Sequence, residues 1–200
     1  MLKLLGRKTS GNVQKVIWLL EEMGEPYDRE DYGRQFNNTE TPEYRRLNPN
    51  AKVPTMVDGD AVVWESNTIL RYLCNKRGSP FYPTAAAKRA RVEQWMDWQL
   101  SSIYNSYVGV FREAKKAPAE RSPAFAKDVA ELGQQLLILE GALGPDPYLA
   151  GPEITLAEFS LGPIVRRCLD FPVDRPPLPK VNAWRQRLAA RPVFAKVATD

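Results

Sequence analysis

The spacing of hydrophobic and polar positions changes character near residue 77 of this 200-residue chain. Before that point, short apolar runs alternate with helical stripes; after it, only helical spacing remains. Leu2 to Leu5 reads as a strand. Val13 to Met23 places Val16, Leu19, Leu20 and Met23 on one helical stripe, and Gly24 ends it. Tyr27 to Tyr32 predicts a second strand, followed by a polar loop and a short helix over Pro42 to Leu47. Pro54 opens the apolar stretch Val53 to Val57, and proline within sheets is confined to first positions, edges or bulges. Asp58-Gly59 signals a tight turn, since glycine adopts the positive φ such turns need. Ala61 to Val63 supplies the returning strand, and a helix starts near Glu65. Strand, helix, strand, hairpin, helix is an α/β arrangement.

Gly78-Ser79-Pro80 with Pro83 marks a linker. Beyond it, Ala85 to about Lys116 forms one long amphipathic segment, and Phe125 to Leu143 a second helix stopped by Gly144-Pro145. Thr155 opens a third helix, with Glu158 three residues on completing a capping-box pattern. Pro172 and the stretch PVDRPPLP break the chain before a last pair of short helices from Lys180 onward. The expected organisation is an α/β domain over 1–77, a linker over 78–84 and an all-helical domain over 85–200.

Composition narrows the chemistry. A content of 44% hydrophobic and 26% charged residues is that of an ordinary globular protein. No apolar run approaches the roughly 18 residues that span a bilayer, and MLKLLGRKTSG has too short an apolar run for a secretory signal. A cytoplasmic address and no membrane partner follow by default. The net charge of +4 is scattered among carboxylates and no basic stretch interleaves aromatics, so nucleic acid is not an expected partner. Cys74 and Cys168 are far apart and sit among apolar neighbours, as structural thiols do. The chain has no histidine, which removes Ser-His-Asp hydrolysis and nearly all zinc sites; no metal is expected.

The segment VPTMVDGDAVVWESNTILRYL resembles the glutathione-binding segment of cytosolic glutathione transferases, whose N-terminal domain has the thioredoxin fold. The likeness extends to GRKTSGNVQKVIWLLEEMGEPYD, to WMDWQL and to YLAGPEITLAEFSLGPIV, in the family's order. It is similar above all to a bacterial, nu-like subgroup with a Thr/Ser-x-Asn arrangement. The resemblance implies a thioredoxin-like domain followed by an all-helical one, glutathione as co-substrate, and a homodimer. It implies conjugation of the glutathione thiolate to small electrophiles in detoxification, with glutathione-dependent disulfide reduction or peroxidase activity, or a non-catalytic module on the same scaffold, as alternatives.

Thiolate, not thiol, is the nucleophile, so such a protein needs donors at sulfur and the positive end of a helix. Thr9-Ser10-Gly11-Asn12 stands ahead of the first helix. Ser10 is the preferred sulfur donor and Asn12 its assistant, with Thr9 as the alternative hydroxyl; simple helix capping by Ser10 is the competing reading. Glu65 and Ser66 match the pair that takes the γ-glutamyl ammonium and carboxylate. The resemblance gives Val53, before a cis proline, the cysteinyl backbone, and matches Gln35 to a glutamine that touches glutathione, an exposed loop amide being the competing reading; Lys52 is a candidate for the glycyl carboxylate against the commoner reading of a solvated lysine. The resemblance sets the second substrate between the domains, with Trp98, Ser102, Tyr104, Tyr107 and Phe111 as candidates, although aromatics at helical spacing are more often core than pocket. Thr155 and Glu158 resemble the family's folding cap.

Overall fold

The computed structural model describes residues 1–198, which divide into two compact units. One comprises Met1–Tyr82 and the segment from Ala189 onward, the other Pro83–Leu188.

The first unit is built on a four-stranded sheet in the order β2-β1-β3-β4. β1 (Leu2–Leu5) lies inside the sheet, parallel to β2 (Tyr27–Glu30) and antiparallel to β3 (Thr55–Asp58). A parallel pair needs a crossover, here α1 (Gly11–Glu22). β4 (Ala61–Trp64) returns from the Asp58–Ala61 turn and forms an edge. Leu4 and Met56, paired across β1 and β3, are fully buried. Val16, Trp18, Leu19 and Leu20 of α1 join Ile69, Leu70 and Leu73 of α3 (Ser66–Arg77) in the core, and the two helices pack together. α3 ends at Gly78, whose φ of 59° is left-handed.

Two strand limits differ from the expectation. β2 stops at Glu30, because the chain beyond it turns to serve the next loop: Tyr32 accepts from the Arg7 amide at 3.2 Å. β3 begins at Thr55 and not at Val53, since Pro54 offers no N–H to the ladder. The Val53-Pro54 bond is cis. Between them, α2 (Pro42–Leu47) is capped by Thr41, whose hydroxyl accepts from the Tyr44 amide at 3.3 Å.

The second unit is helical. α4 (Ala86–Trp98) runs through a π-helical turn, Gln99–Ile103, into α5 (Tyr104–Glu113), so the single long segment expected there is helix throughout with one widened turn. α6 (Phe125–Ala142) packs on α5, where Gly109 permits close approach: a Cβ there would collide with the Asp128 carboxylate. α7 (Leu156–Asp170) is buried all round from Leu156 to Val165, the signature of a central helix. α8 (Pro179–Ala189) follows the proline-rich turn. α9 (Pro192–Val197) belongs to the first unit, where Phe194 meets Trp18 of α1 edge-on at 4.5 Å and Lys196 pairs with Glu21 at 3.1 Å.

The start of α7 is closed by its own side chains. Thr155 Oγ1 accepts from the Ala157 amide at 3.3 Å, while the Glu158 carboxylate accepts from the Thr155 amide at 3.0 Å and its hydroxyl at 3.1 Å. Its other oxygen takes the Leu149 amide at 2.8 Å, tying the preceding turn to the helix. Burial raises the Glu158 carboxyl, and those donors oppose the rise. Among the described residues no helix is long and apolar enough to cross a membrane.

Candidate active site

The loop from β1 to α1 carries the first candidates. Its shape is held from behind by Gln14, whose buried amide donates to the Lys8 carbonyl at 3.0 Å. Ser10 occupies the N-cap position with extended backbone, φ −84° and ψ 124°, yet its hydroxyl makes no capping bond. The capping reading of Ser10 therefore does not describe this helix start. Ser10 is 8% exposed, and Asn12, two residues on, is half-buried.

The start of α3 lies alongside. Ser66, 3% exposed, donates its hydroxyl to Asn12 Oδ1 at 3.4 Å, joining residues 54 positions apart. Glu65 precedes it in a conformation, φ 67° and ψ 116°, that only glycine adopts freely, and it caps nothing. Its carboxylate is exposed and accepts from Asn50 Nδ2 at 3.4 Å, which links it to the loop before β3.

Between the two helix starts lies Lys15, fully buried on α1, with Nζ 3.5 Å from Asn67 Oδ1 on α3. Desolvation pulls its ammonium down to about 7, against the opposing attraction of Glu65. A cation beside a helix N-terminus has the wrong sign for the helix dipole, so this corner carries a positive potential that suits an anion. Val53 is half-buried on the loop into β3. Gly33, φ 85°, lies against it and against Arg7: a Cβ there would sit 3.4 Å from Val53 Cγ1 and 2.8 Å from Arg7 Nη1.

The other predicted residues are not joined to this cluster. Gln35 is exposed on the 3-10 turn Arg34–Phe36 just after Gly33, and the Lys52 side chain is exposed. In the second unit, Trp98 meets Trp95 edge-on at 5.4 Å and the Ser102 hydroxyl lies 3.3 Å from that of Ser101. Tyr107 and Phe111 pack on one another at 5.9 Å and on Phe171 at 6.0 and 6.3 Å. Burial raises the Tyr107 phenol. Phe171 also lines a cavity of about 580 Å³ with Phe125, Val129, Pro172, Arg121 and Arg175. Cys74 and Cys168 are buried free thiols, and burial pushes Cys74 up to about 11. Among the described residues no group of three or more His, Cys, Asp or Glu is placed to hold a metal.

Sequence reasoning passed over Lys15, Asn67 and Asn50. A lysine within a helical segment reads as solvent-facing, and nothing local betrays its burial. Asn67 directly follows the Glu65-Ser66 pair and was the one residue within reach of the pattern.

Known proteins resemble this chain in sequence and fold. Residues 9–76 match the glutathione S-transferase N-terminal domain and residues 122–187 the glutathione S-transferase C-terminal domain. Glutathione S-transferase GstB of Escherichia coli is 31% identical over 202 residues, covering 98% of this chain and 97% of its own. Glutathione S-transferase 3 of Zea mays is 32% identical over 211 residues, covering 98% and 92%. The theta class glutathione S-transferase of Xanthomonas axonopodis pv. citri, solved with glutathione bound, superposes with a TM-score of 0.93 at 36% identity, covering 100% of this chain and 97% of that one.

The chain belongs to the glutathione S-transferase family. As in other glutathione S-transferases, an N-terminal domain with a mixed sheet precedes a helical C-terminal domain. A glutathione S-transferase must hold a zwitterionic tripeptide and keep its sulfur ionised. This chain sets two helix starts side by side, with the Glu65 carboxylate tied to the loop before β3 and the Ser10 hydroxyl uncommitted to a cap.

Proposed function

We propose that this glutathione S-transferase binds glutathione along its first unit and adds the ionised thiol to small electrophiles. The observation that supports this reading most is the contact of Ser66 with Asn12 at 3.4 Å, two residues from a Ser10 hydroxyl that no capping bond occupies. Ser10 donates to the sulfur, with the Asn12 amide assisting and Thr9 as the alternative hydroxyl. Glu65 takes the γ-glutamyl ammonium; the Ser66 hydroxyl and the α3 amides take its carboxylate, with the Lys15 charge behind them. Val53 pairs its backbone with the cysteinyl unit, Lys52 meets the glycyl carboxylate, and Gln35 touches the tripeptide from its loop.

A free thiol titrates near ~8.5, and lowering that by about two units is worth roughly 2.7 kcal/mol of preference for the thiolate. The thiol proton leaves to solvent, the sulfur lone pair forms the new S–C bond, and the leaving group departs with the bonding pair. Tyr107 and Phe111 are the candidates for the electrophile's surroundings, together with Trp98 and Ser102. A cytoplasmic homodimer belongs to the same reading.

The test compares turnover of an aryl halide with that of a small mixed disulfide, each with glutathione. Conjugation of the halide is expected. Turnover of the disulfide alone reassigns the protein as a glutathione-dependent reductase. Turnover of neither, with no heat of glutathione binding in calorimetry, makes it a non-catalytic module.

A further inference from the structure

Beneath the loop that enters β3 lies a ring of buried polar groups that the proposed chemistry does not use. Tyr44 of α2 donates its hydroxyl to the Lys52 carbonyl at 2.7 Å, and Asn48 Nδ2 donates to the same carbonyl at 2.9 Å. Thr55 Oγ1 completes the ring, 2.9 Å from the Tyr44 hydroxyl and 3.0 Å from Asn48 Nδ2. Tyr44 has a single proton and gives it to Lys52, so the Thr55 hydroxyl donates to Tyr44 and accepts from Asn48. Every donor and acceptor in the ring is then used. All three side chains are almost wholly buried, at 2%, 2% and 0% exposure.

The ring has a directional consequence. The peptide joining Lys52 to Val53 is planar and trans, so its carbonyl and the Val53 N–H point opposite ways. With the Lys52 carbonyl drawn into the ring by two donors, the Val53 N–H faces away from it. That N–H has no hydrogen-bond partner among the described residues. The same ring reaches the neighbouring parts of the site. Asn48 Oδ1 accepts from the Asn50 amide at 3.0 Å, and Asn50 donates to Glu65. The Tyr44 ring stacks on Tyr32 at 5.0 Å, next to Gly33.

We infer that Tyr44, Asn48 and Thr55 are positioning residues that lock the Lys52–Val53 peptide so that the Val53 N–H is presented to the cysteinyl carbonyl of glutathione. This rests on the glutathione-binding reading above. The ring touches neither the sulfur nor its donors, so its loss weakens binding and leaves the chemical step alone.

The experiment measures glutathione affinity by calorimetry, and KM and kcat with an aryl halide, for Thr55→Val, Tyr44→Phe and Thr55→Ser. Thr55→Val keeps shape and removes the hydroxyl; Tyr44→Phe keeps the stack on Tyr32 and serves if Thr55→Val does not fold. Losing one aligned hydrogen bond is expected to raise Kd and KM for glutathione about five- to tenfold, with kcat within about twofold of wild type. Thr55→Ser restores the hydroxyl and wild-type values. Folded variants that bind glutathione within about twofold of wild type, or lose kcat at constant KM, overturn the inference alone. A wild-type protein that binds no glutathione overturns the reading beneath it as well.

Discussion

Two regions of this molecule begin a helix with a polar side chain and treat it in opposite ways. At the start of α7, the buried Thr155 and Glu158 satisfy one another, and Glu158 also takes the amide of half-buried Leu149. At the starts of α1 and α3, Ser10 and Glu65 hold the cap positions and form no cap. The charges differ as well. A buried carboxylate stands at the positive end of α7, where it is favoured, whereas the buried group beside α3 is the Lys15 ammonium. The closed start serves the fold. On the proposed reading the open ones are completed by glutathione, so their polar side chains are left free of capping bonds.

The contrast can be broken most forcefully at Lys15. Its ammonium titrates near 7 in the folded protein against 10.5 for an ordinary lysine. The folded state therefore gives up a proton that the unfolded chain keeps, a cost complete below about pH 7 and absent above the unfolded value. Relative to Lys15→Met, wild-type stability in urea titrations should rise between pH 7 and 10.5 by up to about 4 kcal/mol. Parallel curves for the two proteins contradict the buried, destabilised charge. Next in size is Glu158→Ala, which strands the buried Thr155 amide and the half-buried Leu149 amide. It should cost about 3 kcal/mol by chemical denaturation, while glutathione affinity per folded molecule stays unchanged.

Ser10→Ala should show the inverse pattern. Turnover falls about 10- to 100-fold, the loss of one charge-assisted donor at sulfur, and stability shifts by no more than about 0.5 kcal/mol because no cap is lost. A stability loss above about 1 kcal/mol would restore the capping role. The smallest effect belongs to Glu65→Gly. Relief of a left-handed backbone at φ 67° should leave stability equal or raise it by about 1 kcal/mol, while glutathione binding weakens about tenfold. Thermal unfolding and calorimetry on the same preparation separate the two.

Much of this was readable in the chain because the signals were local. Alternating apolar runs around Asp58-Gly59 announced the hairpin, and the Thr155-x-x-Glu158 spacing announced the closed cap. Pro54 marked the entry to β3 but set its first residue later than the apolar run suggested. The Ser10/Asn12 and Glu65/Ser66 pairs stood out through family pattern, and their adjacency is a property of the fold. Lys15 was hidden because burial is tertiary. Tyr44, Asn48 and Thr55 look unremarkable in a short helix and a strand, and only the fold brings them to one carbonyl. Phe194 meets Trp18 from the far end of the chain, which no local rhythm reports. Tyr107 and Phe111 show the limit of periodicity: aromatic spacing looks the same for a packed cluster with Phe171 as for a ligand wall.

The central claim is that neutral donors at the start of α1 keep a bound thiol ionised. Ultraviolet thiolate absorbance, followed through a pH titration of the wild-type complex with glutathione and of the Ser10→Ala complex, measures this directly. The account predicts a wild-type midpoint about two units below the free value of ~8.5, and a return most of the way to that value in Ser10→Ala. A wild-type midpoint no lower than that of free glutathione would contradict it.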